Sequence, residues 1–533
     1  MKKLYSVRTS ILAGSVLLQL NTLCLRWRGA VRTPRPASPN LNGRRTAFCL
    51  AMVIAGIGLI PDGRVTAQTF TALYSFTAVS SGTNRDGAAP RGRLITDLSG
   101  STLYGTAIGG GSGYGTVFAV NTDGTGFASL HSFTGLSDGS QPVAGLILSG
   151  NTLYGTAWSG GTSGVGTVFK VQTDGLGFTN LHSFTARSGN SLTNSDGARP
   201  RSGLILSGNT LYGTASQGGR EGNGTVFALK TDGTDFTNLH TFTVGGDAFF
   251  GGNYTNSDGV EPNAGLVLSG NTLYGTAAGG GILARGTVFK VNTDGTDFTT
   301  LHSFTPAEFD PDTNPYSTNS DGVYPSSNLI LSGGTIYGTT DNGGGFGSGT
   351  LFALNTNGTG FSVVHSFTGQ DAAYARGGLI LSGNTLYGAA QAGGSSGNGT
   401  VFALNTNGTG FTTLHSFNYG SSDGSEPYGG VTLSGNTLYG TTGGYGGSYG
   451  AGTVFSLSFA PQLTITPSGA NVILSWPTNV AGFDYAGFTL QSTTNLTPAA
   501  WSPVAQAALT NAGQVSIDVP TSGGRKFFRL NSQ

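Results

Sequence analysis

Six histidines, all in one repeated setting, are the residues of this 533-residue chain that first invite a chemical reading. His131, His182, His240, His302, His365 and His415 each stand two residues before a phenylalanine, and Tyr74 takes the same slot before Phe76. Imidazole is a common metal ligand and general base. One histidine per unit on successive units spreads them too widely to share an ion, so each is expected to bond a neighbouring strand or unit. No histidine then remains for a serine–histidine–aspartate nucleophile, and no catalytic residue is assigned. Carboxylates recur as well, at Asp86, Asp138, Asp196, Asp258, Asp321 and Asp423, each followed by glycine and then by proline within three positions. The sixth unit breaks the rule with Asp371-Ala372. Aspartate before glycine is a turn former, and that role is expected here. Glycine runs such as Gly109–Gly111 could suggest phosphate cradles, but they lead into strands and lack the helix N-terminus that would hold an anion.

Other candidates lie off the repeat. In the longest insertion, Asp310, Asp312 and Asn314 place oxygens at alternate positions, like the start of a calcium loop. The glycine and distal glutamate of that motif are missing, so a solvated acidic loop is the expectation. No cofactor is expected, and calcium at these three residues is the one exception to test. Aromatic and polar side chains concentrate in the connections that vary between units: Tyr114, Trp158, Arg220, Tyr254, Arg285, Tyr316, Tyr324, Asp341, Tyr374, Tyr428, Tyr445 and Tyr449. Such a set suits stacking on sugar rings or a protein interface.

The elements that must position these residues follow from a period. A Leu/Ile-Tyr-Gly triplet has its tyrosine at 104, 154, 212, 274, 337, 387 and 439. Around each triplet lie four short segments rich in β-branched and aromatic residues, separated by glycine turns, which read as four antiparallel strands. The Ser-Gly-Asn and Thr-Asp/Asn-Gly connections are short and fixed, as tight hairpins require. The second-to-third connection and the link to the next unit vary, and they share the opposite rim. Charged residues are only 9% of the chain and glycine is 92 of 533, which excludes a largely helical protein. The fold expected is all-β: a seven-bladed β-propeller over residues 68–459, closed by an N-terminal strand at Phe70–Thr77 that supplies the last unit's missing fourth strand. Residues 460–533 alternate like a small β-sandwich, with strands at Leu463–Thr466, Val472–Pro477, Gly487–Thr493, Gln514–Val519 and Lys526–Leu530.

Residues 1–67 carry ten Lys/Arg against Asp62 alone, whereas 68–533 hold 15 basic and 24 acidic side chains. Arg44-Arg45, the apolar Ala47–Ile60 and Val65-Thr66-Ala67 read as an export leader, so the expected location is secreted or cell-surface, with no membrane insertion after leader removal. Both cysteines, Cys24 and Cys49, fall in that leader, which excludes thiol chemistry in the remainder. The negative balance argues against nucleic acid.

Units reading Asn-Thr-Leu-Tyr-Gly-Thr-Ala, Gly-Gly, Gly-Thr-Val-Phe and Asp-Gly-Thr-Gly-Phe resemble the GloVer tandem repeats of secreted bacterial proteins, over about residues 70–459. That resemblance implies secretion and a C-terminal anchor that differs among members, and it brings no activity with it. The Gly-Gly doublet is similar to kelch repeats, and Thr122–Phe127 is similar to the structural Asp-box turn of sialidase-type propellers. Val472–Pro477, with Trp476, resembles the second strand of fibronectin type III domains. The function expected is non-enzymatic: a binding or scaffold protein that meets glycan or an envelope or surface protein through its loop-rich face. The alternative is a polysaccharide-active glycosidase or lyase, which would need paired carboxylates or an arginine cluster converging on the central mouth.

Overall fold

Each Leu/Ile-Tyr-Gly triplet lies in a strand buried on both faces, which is why it reads as a continuous apolar run. The computed structural model describes residues 5–7, 68–189, 192–244, 248–249, 253–310, 314–419, 422–444, 447, 449–459, 461, 463–480, 483–485, 487–496, 500–511, 513–520 and 526–532. The leader expected at 1–67, with Cys24 and Cys49, lies outside them apart from Tyr5–Val7.

Within Gln68–Phe459 the described strands form seven four-stranded antiparallel sheets. Sheet one runs Ile95–Thr96, Thr102–Ala107, Thr116–Asn121 and Ala128–Ser132, paired in chain order. Five more repeat the plan: Ile147–Ser149 to Thr179–Ser183, Ile205–Ser207 to Thr237–Thr241, Val267–Ser269 to Thr299–Ser303, Ile330–Ser332 to Ser362–Ser366, and Leu379–Ser382 to Thr412–Ser416. The seventh takes Val431–Ser434, Thr437–Thr442 and Thr453–Phe459 from the end of the unit, and its outer strand, Gln68–Ser75, from the beginning. That strand begins and ends two residues earlier than expected; Phe76 follows it, fully buried, and its amide donates to the Gly452 carbonyl.

Side-chain volume dictates the repeat. The glycine of each triplet lies under the phenylalanine of the third strand: a Cβ on Gly155 would sit 2.6 Å from Phe169 Cζ and 2.7 Å from Leu146 Cδ2. Phe118, Phe169, Phe227, Phe289, Phe352, Phe402 and Phe455 are all 0% exposed and fill the space that Gly leaves. Core clusters span neighbouring sheets, and the series closes on itself. Phe76, Leu94, Leu103 and Phe118 pack with Tyr439 and Val454 of the seventh sheet. Across the same seam Thr432 Oγ1 donates to the Leu94 carbonyl. The architecture is that of a propeller-like repeat.

Ala460–Gln533 groups with Tyr5–Val7 in a second unit. It holds two four-stranded sheets. One orders Thr464–Ser468, Asn471–Pro477, Gln514–Pro520 and Leu509–Asn511. The other orders Tyr5–Val7, Lys526–Ser532, Phe488–Thr493 and Ser502–Pro503. Asn471–Pro477 alternates buried and half-buried residues, with Trp476 on the buried side.

Candidate functional site

Two regions concentrate polar chemistry, and the first is sevenfold. Between the third and fourth strands of every sheet the register slips just before the histidine slot, as at Asn180/His182 and Ala72/Tyr74. Such a bulge re-aims the side chain that follows it. Each histidine Nε2 then meets the carboxylate of the Asp that precedes the next sheet: His131–Asp138 at 3.2 Å, His182–Asp196 and His240–Asp258 at 2.9 Å, His302–Asp321 at 3.1 Å, His365–Asp371 at 2.9 Å and His415–Asp423 at 3.1 Å. Tyr74 Oη donates to Asp86 at 2.8 Å in the seventh copy. The ring of each also stacks on a phenylalanine of the following sheet, from Tyr74 on Phe127 at 3.9 Å to His415 on Phe70 at 4.0 Å. The aspartates do not form the Asx turns expected of them. Their carboxylates clasp the incoming chain, accepting Thr243 N and Oγ1 at Asp258, while in four sheets the turn itself is held by an asparagine such as Asn194. Burial alone would push the Asp258, Asp321 and Asp371 carboxyls up, but the bonds from histidine and threonine outweigh it and hold them below their usual range. Burial pushes His131 and His415 down despite their aspartate partners. Six His–Asp dyads and one Tyr–Asp dyad thus form a belt along the seven outer strands, each tying its sheet to the chain that enters the next.

The second region breaks the repeat. A cavity of about 710 Å³ is walled by the innermost strands and the segments leading into them, from all seven sheets. The position after the proline slot lines it, and five residue types share that position over the seven sheets: Arg91, Val143, Arg201, Asn263, Ser326, Arg376 and Tyr428. Its charged lining is Arg91, Arg93, Arg201 and Arg376 against Asp341 alone. Arg376 Nε donates to Asp341 Oδ2 at 2.8 Å, and Ser326 Oγ donates to Asp341 Oδ1 at 2.6 Å. Arg376 Nη1 reaches Tyr428 Oη at 2.7 Å, and Arg91 lies over the Tyr428 ring, 4.6 Å from its centroid. Burial raises the Asp341 carboxyl, and Arg376 and Ser326 oppose that shift. Among the described residues Arg93 has no carboxylate partner; its Nε donates to Thr432 Oγ1 at 3.3 Å, and burial lowers its pKa.

The backbone beside this mouth is strained in register. The residue before the proline slot is left-handed in every sheet: Ala89, Gln141, Arg199, Glu261, Tyr324, Tyr374 and Glu426, with φ between 52° and 60°. Left-handed non-glycine residues are uncommon and collect at functional sites. A shared bonding pattern holds them: Arg199 N donates to the Val165 carbonyl of the previous sheet, and the Arg199 carbonyl accepts from Ser216 N.

The residues singled out from sequence fall in several places. Trp158 lies beneath Arg199 and Arg201, at 4.5 and 5.7 Å, beside the mouth. Arg285 Nη1 donates to Tyr324 Oη at 2.9 Å, and Asp341, Arg376 and Tyr428 meet as described. Tyr114 is 46% exposed and packs over Gly135, Tyr449 is 60% exposed, and Arg220 borders a separate shallow recess with Phe236. Tyr254, Tyr316, Asp310 and Asn314 lie in two insertion hairpins, Ala248–Phe249 with Asn253–Tyr254 and Glu308–Asp310 with Asn314–Thr318. Tyr445 and Asp312 lie outside the described residues. Among the described residues no group of three or more His, Cys, Asp or Glu is placed to hold a metal. Sequence reasoning passed over Arg91, Arg93, Arg201 and Arg376. For Arg91, Arg201 and Arg376 a signal exists, because the slot after proline varies within a repeated segment; Arg93 stands where most units have glycine.

Among solved structures, the chain is similar to an oligogalacturonate lyase in complex with manganese at 11% identity, covering 74% of this chain and 98% of that one with a TM-score of 0.43. An oligogalacturonate lyase from Vibrio parahaemolyticus matches at 10% identity over 75% and 98%, with a TM-score of 0.42. A nidogen/laminin complex matches at 15% over 52% and 81%, with a TM-score of 0.32. No curated protein matches. The Gloeobacter/Verrucomicrobia repeat matches three times, over residues 63–195, 190–313 and 309–476, and the chain belongs to that repeat family.

Proposed function

We propose that the chain is a secreted, non-enzymatic binding protein: a seven-bladed β-propeller closed by Gln68–Ser75, followed by a small sandwich, that recognises glycan or an envelope partner at its axial mouth. The observation that carries this reading is the contrast of slots. Within a unit repeated almost residue for residue, the side chains that differ from sheet to sheet ring one cavity. Core packing calls for sevenfold sameness, and a ligand lacking sevenfold symmetry calls for the opposite. The cavity volume falls within the range of small-molecule sites, roughly 300–1,000 Å³. A glycan array probed with the full-length chain tests it: binding to a defined set of glycans, lost in Tyr428→Ala at unchanged melting temperature, is expected. An array without binders counts against it.

The enzymatic alternative divides on the lining. A glycosidase needs two carboxyl groups about 5–10 Å apart, and the described lining holds one, Asp341. A lyase needs its substrate's acid neutralised, which the arginines would supply. New chain ends released from an acidic polysaccharide would favour that second reading over simple binding.

A further inference from the structure

The lining narrows the ligand class. Residues 68–533 contain 15 basic and 24 acidic side chains, yet four of the 15 arginine and lysine residues line this single cavity against one aspartate. Arg376 is neutralised by Asp341, the one Arg–carboxylate ion pair among the described residues. Arg91, Arg93 and Arg201 have no such partner, and Arg91 Nε is buried without any hydrogen-bond acceptor. Guanidinium forks match carboxylate and oxyanion geometry. The rest of the wall offers Asn263, Ser326 and Asn328, which bond hydroxyls, so a bare anion would leave most of the volume unused.

We propose that the axial cavity binds an acidic saccharide, a sugar chain bearing carboxylate or sulfate ester groups, with Arg91, Arg93 and Arg201 holding the anionic oxygens and the amide and hydroxyl groups meeting the ring hydroxyls. This rests on the glycan reading above and deepens it. The Arg376–Asp341–Tyr428 set positions the Tyr428 ring under Arg91, which keeps that guanidinium aimed into the mouth.

Titration calorimetry on the full-length chain tests it with trimers of glucuronate, galacturonate and mannuronate, a sulfated hexose trimer, the uncharged hexose trimers, and inorganic phosphate. At least one acidic trimer is expected to bind at least about tenfold tighter than its uncharged counterpart, with affinity falling as salt rises. The carboxylate and sulfate arms tell which anion is read. Arg201→Gln and Arg91→Gln should each weaken that binding by about tenfold or more, the loss of one charge-assisted contact, while Arg85→Gln, on an exposed side chain outside the cavity lining, leaves it unchanged. Arg201 is exposed, so its variant folds even if Arg91→Gln does not. Equal binding of acidic and uncharged trimers overturns the acidic class and leaves the glycan reading standing. Phosphate binding with no saccharide binding, or no binding at all, overturns this proposal and the glycan arm of the reading it rests on.

Discussion

The outer belt and the axial mouth are built from the same seven units and obey opposite rules. In the belt, the His–Asp or Tyr–Asp dyad and its stacked phenylalanine recur in all seven sheets, down to the seam where Tyr74 and Phe70 of the first strand complete the circle. At the mouth, one slot runs through arginine, valine, asparagine, serine and tyrosine. Sameness marks what the fold needs, because each sheet must present identical surfaces to its neighbours. Under the proposed binding role, difference marks what a ligand without that symmetry needs. A histidine–aspartate pair repeated in this way is accounted for by sheet-to-sheet packing, and a lone arginine after a proline is the more informative residue.

The comparison can be broken most severely at the seam. Deleting Gln68–Ser75 removes the seventh sheet's outer strand and two members of the belt, and should abolish cooperative thermal unfolding, a loss on the scale of total domain stability, about 5–15 kcal/mol. Calorimetry that still shows one cooperative transition near the parent temperature would refute the closure. Next comes the clasp: Asp258→Ala strips partners from His240 and Thr243 and should cost about 2–3 kcal/mol by denaturant unfolding.

Acid should weaken the belt in the same direction through two sets of groups. His131 and His415 have folded values below 6.5, so the unfolded chain takes up protons that the folded one refuses, and their contribution is lost as pH falls through that value. Asp258, Asp321 and Asp371 are held below 3.8, so what they contribute above 3.8 is lost as pH falls further. Melting temperature should therefore decline from pH 7 to pH 3; a flat profile would contradict the account of the belt. The smallest effect on stability belongs to the mouth: Arg201→Gln should stay within about 0.5 kcal/mol of the parent, because that side chain is exposed and supports no core contact.

Much of this is legible in the sequence alone. Fixed turns such as Ser207-Gly208-Asn209 announce hairpins, and Leu-Tyr-Gly announces a strand pressed against a phenylalanine; both are local signals. The orphan strand before the first unit pointed to the seam for the same reason. The aspartates were harder. Asp-Gly looks like a local turn, whereas its carboxylate is used by a histidine as many as 19 residues away, a contact that only the bulge in the preceding sheet creates. The mouth was hidden by attention to loop tips. Tyr114 and Tyr449 are conspicuous in sequence and lie at the surface, but Arg91 and Arg376 sit inside the repeated segment and converge only through the ring geometry.

The separation of belt from mouth is tested most directly by measuring melting temperature and acidic-trimer affinity on the same two variants. Asp258→Ala should lower the first and leave the second unchanged, and Arg201→Gln should do the reverse. Binding lost in Asp258→Ala at an unaltered melting temperature, or kept in Arg201→Gln, would contradict the division of roles.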